Sequence, residues 1–469
     1  MRTRQTITCA LVALLTLLVT SRAGALPVEL KDQNGTKYQI NTDVSPLLRN
    51  SEASGALTNA TYVKPVTVTS YFVGLTPFGF FLTTFTVQRQ VNIPLTNAFA
   101  GFNGLLVTGA HGVALPAPLV FNPGAGLASQ DCSQNNQNRE LVFQTQTFAA
   151  PVNLQVTRKV FVPDNSDFVR WLNIVTNTDS APQEVGITLQ GLLGAESQTK
   201  IGTTSSGDNT VTAGDLWFTS GQSVPQGAHS TEPTVGFVIQ GNGATTGARS
   251  AGVNSLGQAV VTYTPTIPAG GSVIVMTLTT VQGNFKQAKS TVENLVNLPS
   301  DTIKCMSEQE LAQVVNFAPI TPPKTKSATI TLKFNKTGQD TIQWKGKITI
   351  AAGISLQGIP VSVDVGGVTQ NFTLNKSGKA NNGGGNKFAL NASLKNGVTK
   401  AGTINFSFNM KGAFQATLAP FGLTNATVKN VPVTVPLSFV VGAGQHYYGT
   451  DQAFTYKATE GKTGTAKNS

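Results

Sequence analysis

Residues able to do chemistry are few in this chain, and they are scattered. Cleaving a glycosidic bond takes two carboxyl groups at a fixed separation, one with a raised pKa. The acidic candidates for such a pair are Asp131, Asp164, Asp167, Asp208 and Asp215. Each lies in a turn-forming stretch, where Asp closes turns by itself. No catalytic residue is therefore expected, and the chain reads as a non-enzyme. Asp164, Asn165 and Asp167 share one turn, and their oxygens would suit a hard cation such as calcium. The distal Glu of a helix-loop-helix calcium site is missing, so a plain Asx-rich turn is the simpler reading and no cofactor is expected. His111, His229 and His446 show no ligand spacing and no CxxC accompanies them, which argues against zinc. GxSxG, GxxxxGK(S/T) and a strand-anchored GxGxxG are all absent. His446, Tyr447 and Tyr448, beside Gly442 and Gly444, are candidates for an aromatic platform that binds a sugar, although strand aromatics more often pack inward.

The elements that must position these residues are strands. The stretch 155–177 reads as a hairpin, QVTRKVFV and FVRWLNIVTN joined by the turn PDNSD. Both faces of its second arm are largely apolar: Phe168, Leu172 and Ile174 on one, Val169, Trp171 and Val175 on the other. Such an arm belongs deep in a stack of layers. Further strand patterns run from 61 to 281, among them 78–90 (FGFFLTTFTVQRQ), long enough for a fully buried strand. Their spacing fits a large antiparallel sandwich rather than alternating β and α units. Helical patterns are confined to 286–298, ended by Pro299, and to the capping box Ser307–Glu310 ahead of 311–315. Two short helices should therefore close the first domain.

With 469 residues, two or more domains are expected. The N-terminus carries Arg2 and Arg4, an apolar run over 7–19 that includes Cys9, and Ala23-Gly24-Ala25; this is a secretory signal pattern, with cleavage after about Ala25. No later run is long and apolar enough for a helix to span a bilayer. Charged residues make up only 12% of the chain, and Gly (47) is abundant, which suits a secreted or surface β-protein better than a cytosolic enzyme. Beyond the signal peptide Cys132 and Cys305 remain, and in an oxidising compartment two such cysteines usually pair; two buried thiols are the alternative. Residues 26–316 form the expected large domain, 317–326 (FAPITPPKTK) a linker, 327–460 a Lys-rich sandwich of immunoglobulin size, and 461–469 a disordered tail. The basic charge is confined to the last third: residues 321–469 hold 16 Lys, no Arg and four Asp/Glu, while 26–320 hold 14 Lys/Arg against 18 Asp/Glu. That third could meet an anionic polysaccharide, nucleic acid or a membrane surface. The absence of Arg argues against specific nucleic-acid binding, and a solvated surface that blunts edge strands is the simplest account.

TRKVFVPDNSDFVRWLNIVTNT, followed by GLLGAESQTKIGTTSSGD and IPAGGSVIVMTL, resembles the β-supersandwich modules found N-terminally in some bacterial glycosidases and as the body of uncharacterised secreted bacterial proteins. WKGKITI, VSVDVGG and TLNKSGKANNGGG resemble a repeat-type β-domain of similar extracellular proteins. The resemblance implies an all-β chain, a large supersandwich with two closing helices followed by a smaller immunoglobulin-like sandwich, without the catalytic helical barrel. The expected function is a secreted or surface-associated structural or binding protein whose partners are polysaccharide or other surface proteins. A carbohydrate-binding accessory role is the alternative, and a glycan-active enzyme comes third.

Overall fold

The computed structural model describes residues 27–42, 54–75, 82–123, 126–134, 137–224, 230–442 and 446–468. The expected signal peptide over 1–25, with Cys9, and the residue His229 lie outside them. The fold is all-β, with almost wholly antiparallel pairing and a few short helices. No helix among the described residues is long and apolar enough to cross a membrane.

The first body holds two nine-stranded sheets. In one, Leu57–Leu75, Phe99–Ala110, Gly186–Leu193 and Gln258–Tyr263 lie side by side. The other runs through Thr234–Val238, Ser272–Gln282, Val169–Asn177 and Leu154–Phe161. A single core joins them, with Leu105, Ile187 and Val261 from the first sheet against Val156, Trp171 and Val275 from the second. The hairpin pairs from Leu154↔Asn177 to Phe161↔Arg170. Alternation sends Val169, Trp171 and Val175 into that core, where the Trp171 indole N–H donates to the Gly55 carbonyl at 2.8 Å. Phe168 and Leu172 point the other way, into a second apolar layer beneath the helices. The second sheet is thus a middle layer, which explains why both faces of its strands are apolar.

The helix Phe285–Leu295 starts at Asn284, whose side chain accepts from the Gln287 N–H, and buries Ala288, Val292 and Leu295. It lies close on the sheet because Gly236 has no side chain; a Cβ there would stand 2.5 Å from a Val292 methyl. Glu308–Gln313 carries the complete Ser307/Glu310 capping box. Ahead of it, a tight turn over Ser300–Ile303 is fully buried.

The second body is built on one eleven-stranded sheet around its own core of Trp344, Phe388, Phe406 and Phe439, with a two-stranded sheet of Leu394–Lys395 and Val398–Thr399 beside it. Its edge strands, Val368–Thr373 and Lys379–Asn381, come together: the Asn382 amide donates to the Asn371 carbonyl and the rings of Phe372 and Phe388 lie 5.7 Å apart. The sheet has therefore rolled until its ends meet.

Several local expectations differ from the structure. Residues 317–326 are not an exposed tether. Phe317, Ala318 and Ile320 are buried between the bodies, Ile320–Thr321 pairs with Tyr447 and Tyr448, and Lys324 opens a ten-residue strand. The prolines set the extended backbone, but the apolar residues between them dock. Within 461–469, Thr463–Lys467 is a strand paired on both sides, with Ala466 fully buried. The strand expected to be fully buried over 78–90 is instead the arm Leu82–Leu95, paired among the described residues with Leu57–Leu75 alone, and Gln88, Arg89 and Gln90 are exposed. Residues 78–81 lie outside the described residues.

Candidate functional site

The turn over 163–167 meets the second body. The Asn165 amide (3.0 Å) and the Ser166 hydroxyl (2.6 Å) donate to one oxygen of Asp301. The next residue back, Ser300, donates from its backbone N–H (3.2 Å) and its hydroxyl to Asp364 of the strand Pro360–Val365, whose same oxygen also accepts from the Gly367 N–H. A chain of hydroxyls and carboxyls therefore crosses from one body to the other. Around it opens a cleft of about 670 Å³, lined by Asn165, Asp167, Asn294, Asp301, Asp364 and Thr417 among others.

Burial dominates the electrostatics of this cleft. Desolvation pushes the Asp364 carboxyl up to about 7, with the charge of Asp301 adding to it. Burial likewise raises Asp301 and Asp167. Behind them Asp32, hydrogen-bonded by the Tyr38 hydroxyl at 3.0 Å, is pushed up to about 7 by burial and by the charge of Asp167. One side-chain oxygen each of Asn165, Asp167, Asp301 and Asp364 is buried without a hydrogen-bond partner. Among the described residues no three His, Cys, Asp or Glu side chains are grouped so as to hold a metal ion. The turn of Asp164, Asn165 and Asp167 thus turns Asn165 towards Asp301 and puts Asp167 on the cleft wall. Of the other acidic candidates, Asp208 and Asp215 serve their own turns, whereas Asp131 lies within the strand Leu127–Gln134 and not in the expected turn. Asp131 accepts from Ser129, and Asp208 from Thr204 and Thr210. Asp215 is opposed by burial but held below the usual carboxylate range by hydrogen bonds from Thr212 and Ser206.

Cys132 and Cys305 form a disulfide, Cα–Cα 5.8 Å, that ties the strand Leu127–Gln134 to the closing segment. Beside it the Cys305 N–H donates to Asp451 of the second body at 2.7 Å. Arg170, fully buried, donates to Glu140 at 2.7 Å and to the carbonyls of Thr302 and Lys304. Tyr447 and Tyr448 are taken up by packing and offer no open sugar platform. The Tyr447 hydroxyl donates to the Val296 carbonyl across the seam, while the Tyr448 ring stacks on Phe439 at 4.9 Å and its hydroxyl donates to the Thr349 carbonyl. Both are 3% exposed, which rules out a ligand stacking on their faces. His446 is half-buried, and burial lowers its pKa.

A second concavity, of about 640 Å³, lies on the outer face of the rolled sheet. Two rows of residues cross four strands there. Lys345, Ser407, Ala389 and Lys379 form one row; Gln343, Asn409, Lys387 and Asn381 form the other. Three strand spacings separate Lys345 from Lys379, roughly 14 Å. Phe388 and Phe408 form a buried floor, no acidic side chain lines the trough, and no ion pair among the described residues uses its lysines. Sequence reasoning found the Lys-rich third without this array; the outward alternation of Gln343, Lys345 and Lys347 was its visible signal.

No known protein family matches this chain, and no curated protein does. Solved structures with some likeness include a polysaccharide lyase (7% identity, TM-score 0.29, covering 89% of this chain and 46% of the lyase). A candidate kojibiose phosphorylase from the human microbiome has 9% identity and TM-score 0.26, with coverage of 60% and 37%. A candidate aldose 1-epimerase from Klebsiella pneumoniae has 10% identity and TM-score 0.23, with coverage of 62% and 94%. The chain thus spans under half the length of the first two. All three are described as enzymes, so the expectation that the chain is not one no longer stands. Likeness this loose transfers no activity and no site.

Proposed function

We propose that this chain is an extracytoplasmic protein that binds an acidic polysaccharide along the lysine trough of its second body. The carrying observation is the array Lys345, Lys379 and Lys387, interleaved with Asn381, Asn409 and Gln343 and free of acidic neighbours. Lysines are point charges on flexible stems, suited to spaced carboxylates or sulfates on a polymer, and the amides suit its hydroxyls. The N-terminal signal pattern supports export. Retention on immobilised polyuronate, compared with neutral dextran, tests the reading. Selective retention that falls with salt supports it. The triple variant Lys345→Gln, Lys379→Gln, Lys387→Gln should bind about tenfold or more weakly, from three exposed charge pairs of up to about 1 kcal/mol each. Equal retention of wild type and variant would refute the assignment.

The cleft favours a second reading, in which the bound polymer is also processed. Burial raises the Asp167 carboxyl above its ordinary value, the direction in which a proton donor is tuned. Release of new chain ends from a polyuronate, lost in Asp167→Asn while retention is unchanged, would support it. No release from any polymer tested would exclude it.

A further inference from the structure

The lysine trough and the inter-body cleft open on the same outer face of the rolled sheet. Along the edge strand Val368–Thr373, Val368 and Phe372 turn into the core, so alternation sends Thr369, Asn371 and Thr373 outward, and all three are exposed. On one side Thr369 pairs with Asp364 and Asn371 with Ser362. On the other side this strand meets Lys379–Asn381 where the roll closes, with the Asn382 amide on the Asn371 carbonyl. Thr369 and Asp364 line the cleft, whereas Lys379 and Asn381 line the trough. Two strand spacings, roughly 10 Å, therefore lie between the strand that ends the trough and the strand that carries Asp364.

The surface between them suits the same polymer. It presents Asn382, Asn371 and Thr369, which are exposed and uncharged. Residues 365–450 contain no Asp or Glu, so no acid of that long stretch repels an anionic chain on its way. Amides and hydroxyls both donate and accept hydrogen bonds, which suits sugar hydroxyls once the charged groups of the chain have met the lysines. The cleft continues this chemistry with Asn165, Asn294 and Thr417. Asp301 and Asp364, 2% and 5% exposed, each keep one side-chain oxygen without a hydrogen-bond donor, and both side chains line the cleft. On a cleft wall, the donors that fit such acceptors are the hydroxyls of a ligand.

We propose that trough and cleft are the two ends of one binding path, so that a polyuronate held by the lysines runs over Asn371 and Thr369 and lays its end in the cleft. This rests on the trough reading above and adds the length and direction of the bound chain. Titration of the full chain with oligouronates of two lengths tests it. The long one reaches from Lys345 to Asp364, five strand spacings or roughly 24 Å, and the short one covers only the trough, roughly 14 Å. The long oligomer should bind at least about tenfold more tightly, and the ratio should persist when added salt weakens the lysine contacts of both. Thr369→Val with Asn371→Val should cut that ratio about tenfold, because two hydrogen-bonding groups are lost. Thr417→Trp, which fills the cleft, should cut it likewise. Thr349→Val with Thr403→Val, a cross-strand pair on the same sheet but off the path, should preserve it. Equal affinity of the two lengths for the wild type overturns the proposal, and the trough reading still stands if the triple lysine variant loses both. A ratio that vanishes at high salt also overturns it, because the lysines alone then account for the advantage. Binding of neither length removes the trough reading and this proposal with it.

Discussion

Ser300 gives both its backbone N–H and its hydroxyl to a single oxygen of Asp364, and this joins the closing segment of the first body to a strand of the second. The other Asp364 oxygen is buried with no partner. A carboxyl in such a place is better protonated than charged.

The pH dependence follows. The Asp364 pKa rises from 3.8 unfolded to about 7 folded, driven by burial and then by the charge of Asp301. Between those values the folded state binds the extra proton, so the stabilisation is complete below about 3.8, declines as pH rises and is gone above about 7. Asp364→Asn cannot ionise. Its melting temperature minus that of wild type should therefore be more positive at pH 8 than at pH 5. The same difference at both pH values would show that Asp364 does not titrate in this range.

Arg170 and Arg158 are both fully buried, yet removing them should have different consequences. Arg170 neutralises Glu140 at 2.7 Å, and Arg170→Met would leave that buried carboxylate only the longer contact of Lys159 at 3.6 Å. The expected loss is about 3–5 kcal/mol by chemical denaturation. Among the described residues Arg158 has no carboxylate partner; it donates to the carbonyls of Ser54 and Asn103, and burial pulls its pKa down to about 9. Arg158→Met removes a desolvated charge and should cost less than Arg170→Met. The reverse order would mean that the carbonyl contacts of Arg158 outweigh its desolvation.

The layered sandwich could be read from sequence because its signal is local. Arms such as VRWLNIVTN are apolar on both faces, and turns such as PDNSD separate them. The helix Phe285–Leu295 and the Ser307 capping box were legible for the same reason. The carboxyl chain was not, because Ser166, Asp301 and Asp364 are more than 60 residues apart from one another in sequence and meet only when the bodies dock. Tyr447 and Tyr448 looked like an exposed pair in a Gly-rich stretch, but alternation puts one ring in the seam and the other in the core. FAPITPPKTK was misread because Pro and Lys dominate its composition, whereas Phe317, Ala318 and Ile320 determine where it goes.

The Cys132–Cys305 disulfide spans 173 residues of sequence, so in the chain-entropy model it restricts the unfolded state strongly. Cys132→Ser with Cys305→Ser should lower stability by up to about 5 kcal/mol in urea titrations. Reduction of the wild type should reproduce the loss. A variant as stable as wild type would mean that the docking of the closing segment, through Arg170 and Asp451, suffices without the covalent tie.

Gly236 sets how closely the helix Phe285–Leu295 approaches the middle sheet. A Cβ at that position would stand 2.5 Å from a Val292 methyl, 2.8 Å from a Thr280 methyl and 3.3 Å from the Ala288 carbonyl. Gly236→Ala should therefore force the helix outward and cost about 1–3 kcal/mol, the usual range for overpacking. Val292→Ala alone leaves a cavity in the seam and also destabilises. The two together should cost less than the sum of the single variants, because each relieves the defect made by the other. Strictly additive losses in a double-mutant cycle would show that the helix yields elsewhere and that Gly236 does not control the contact.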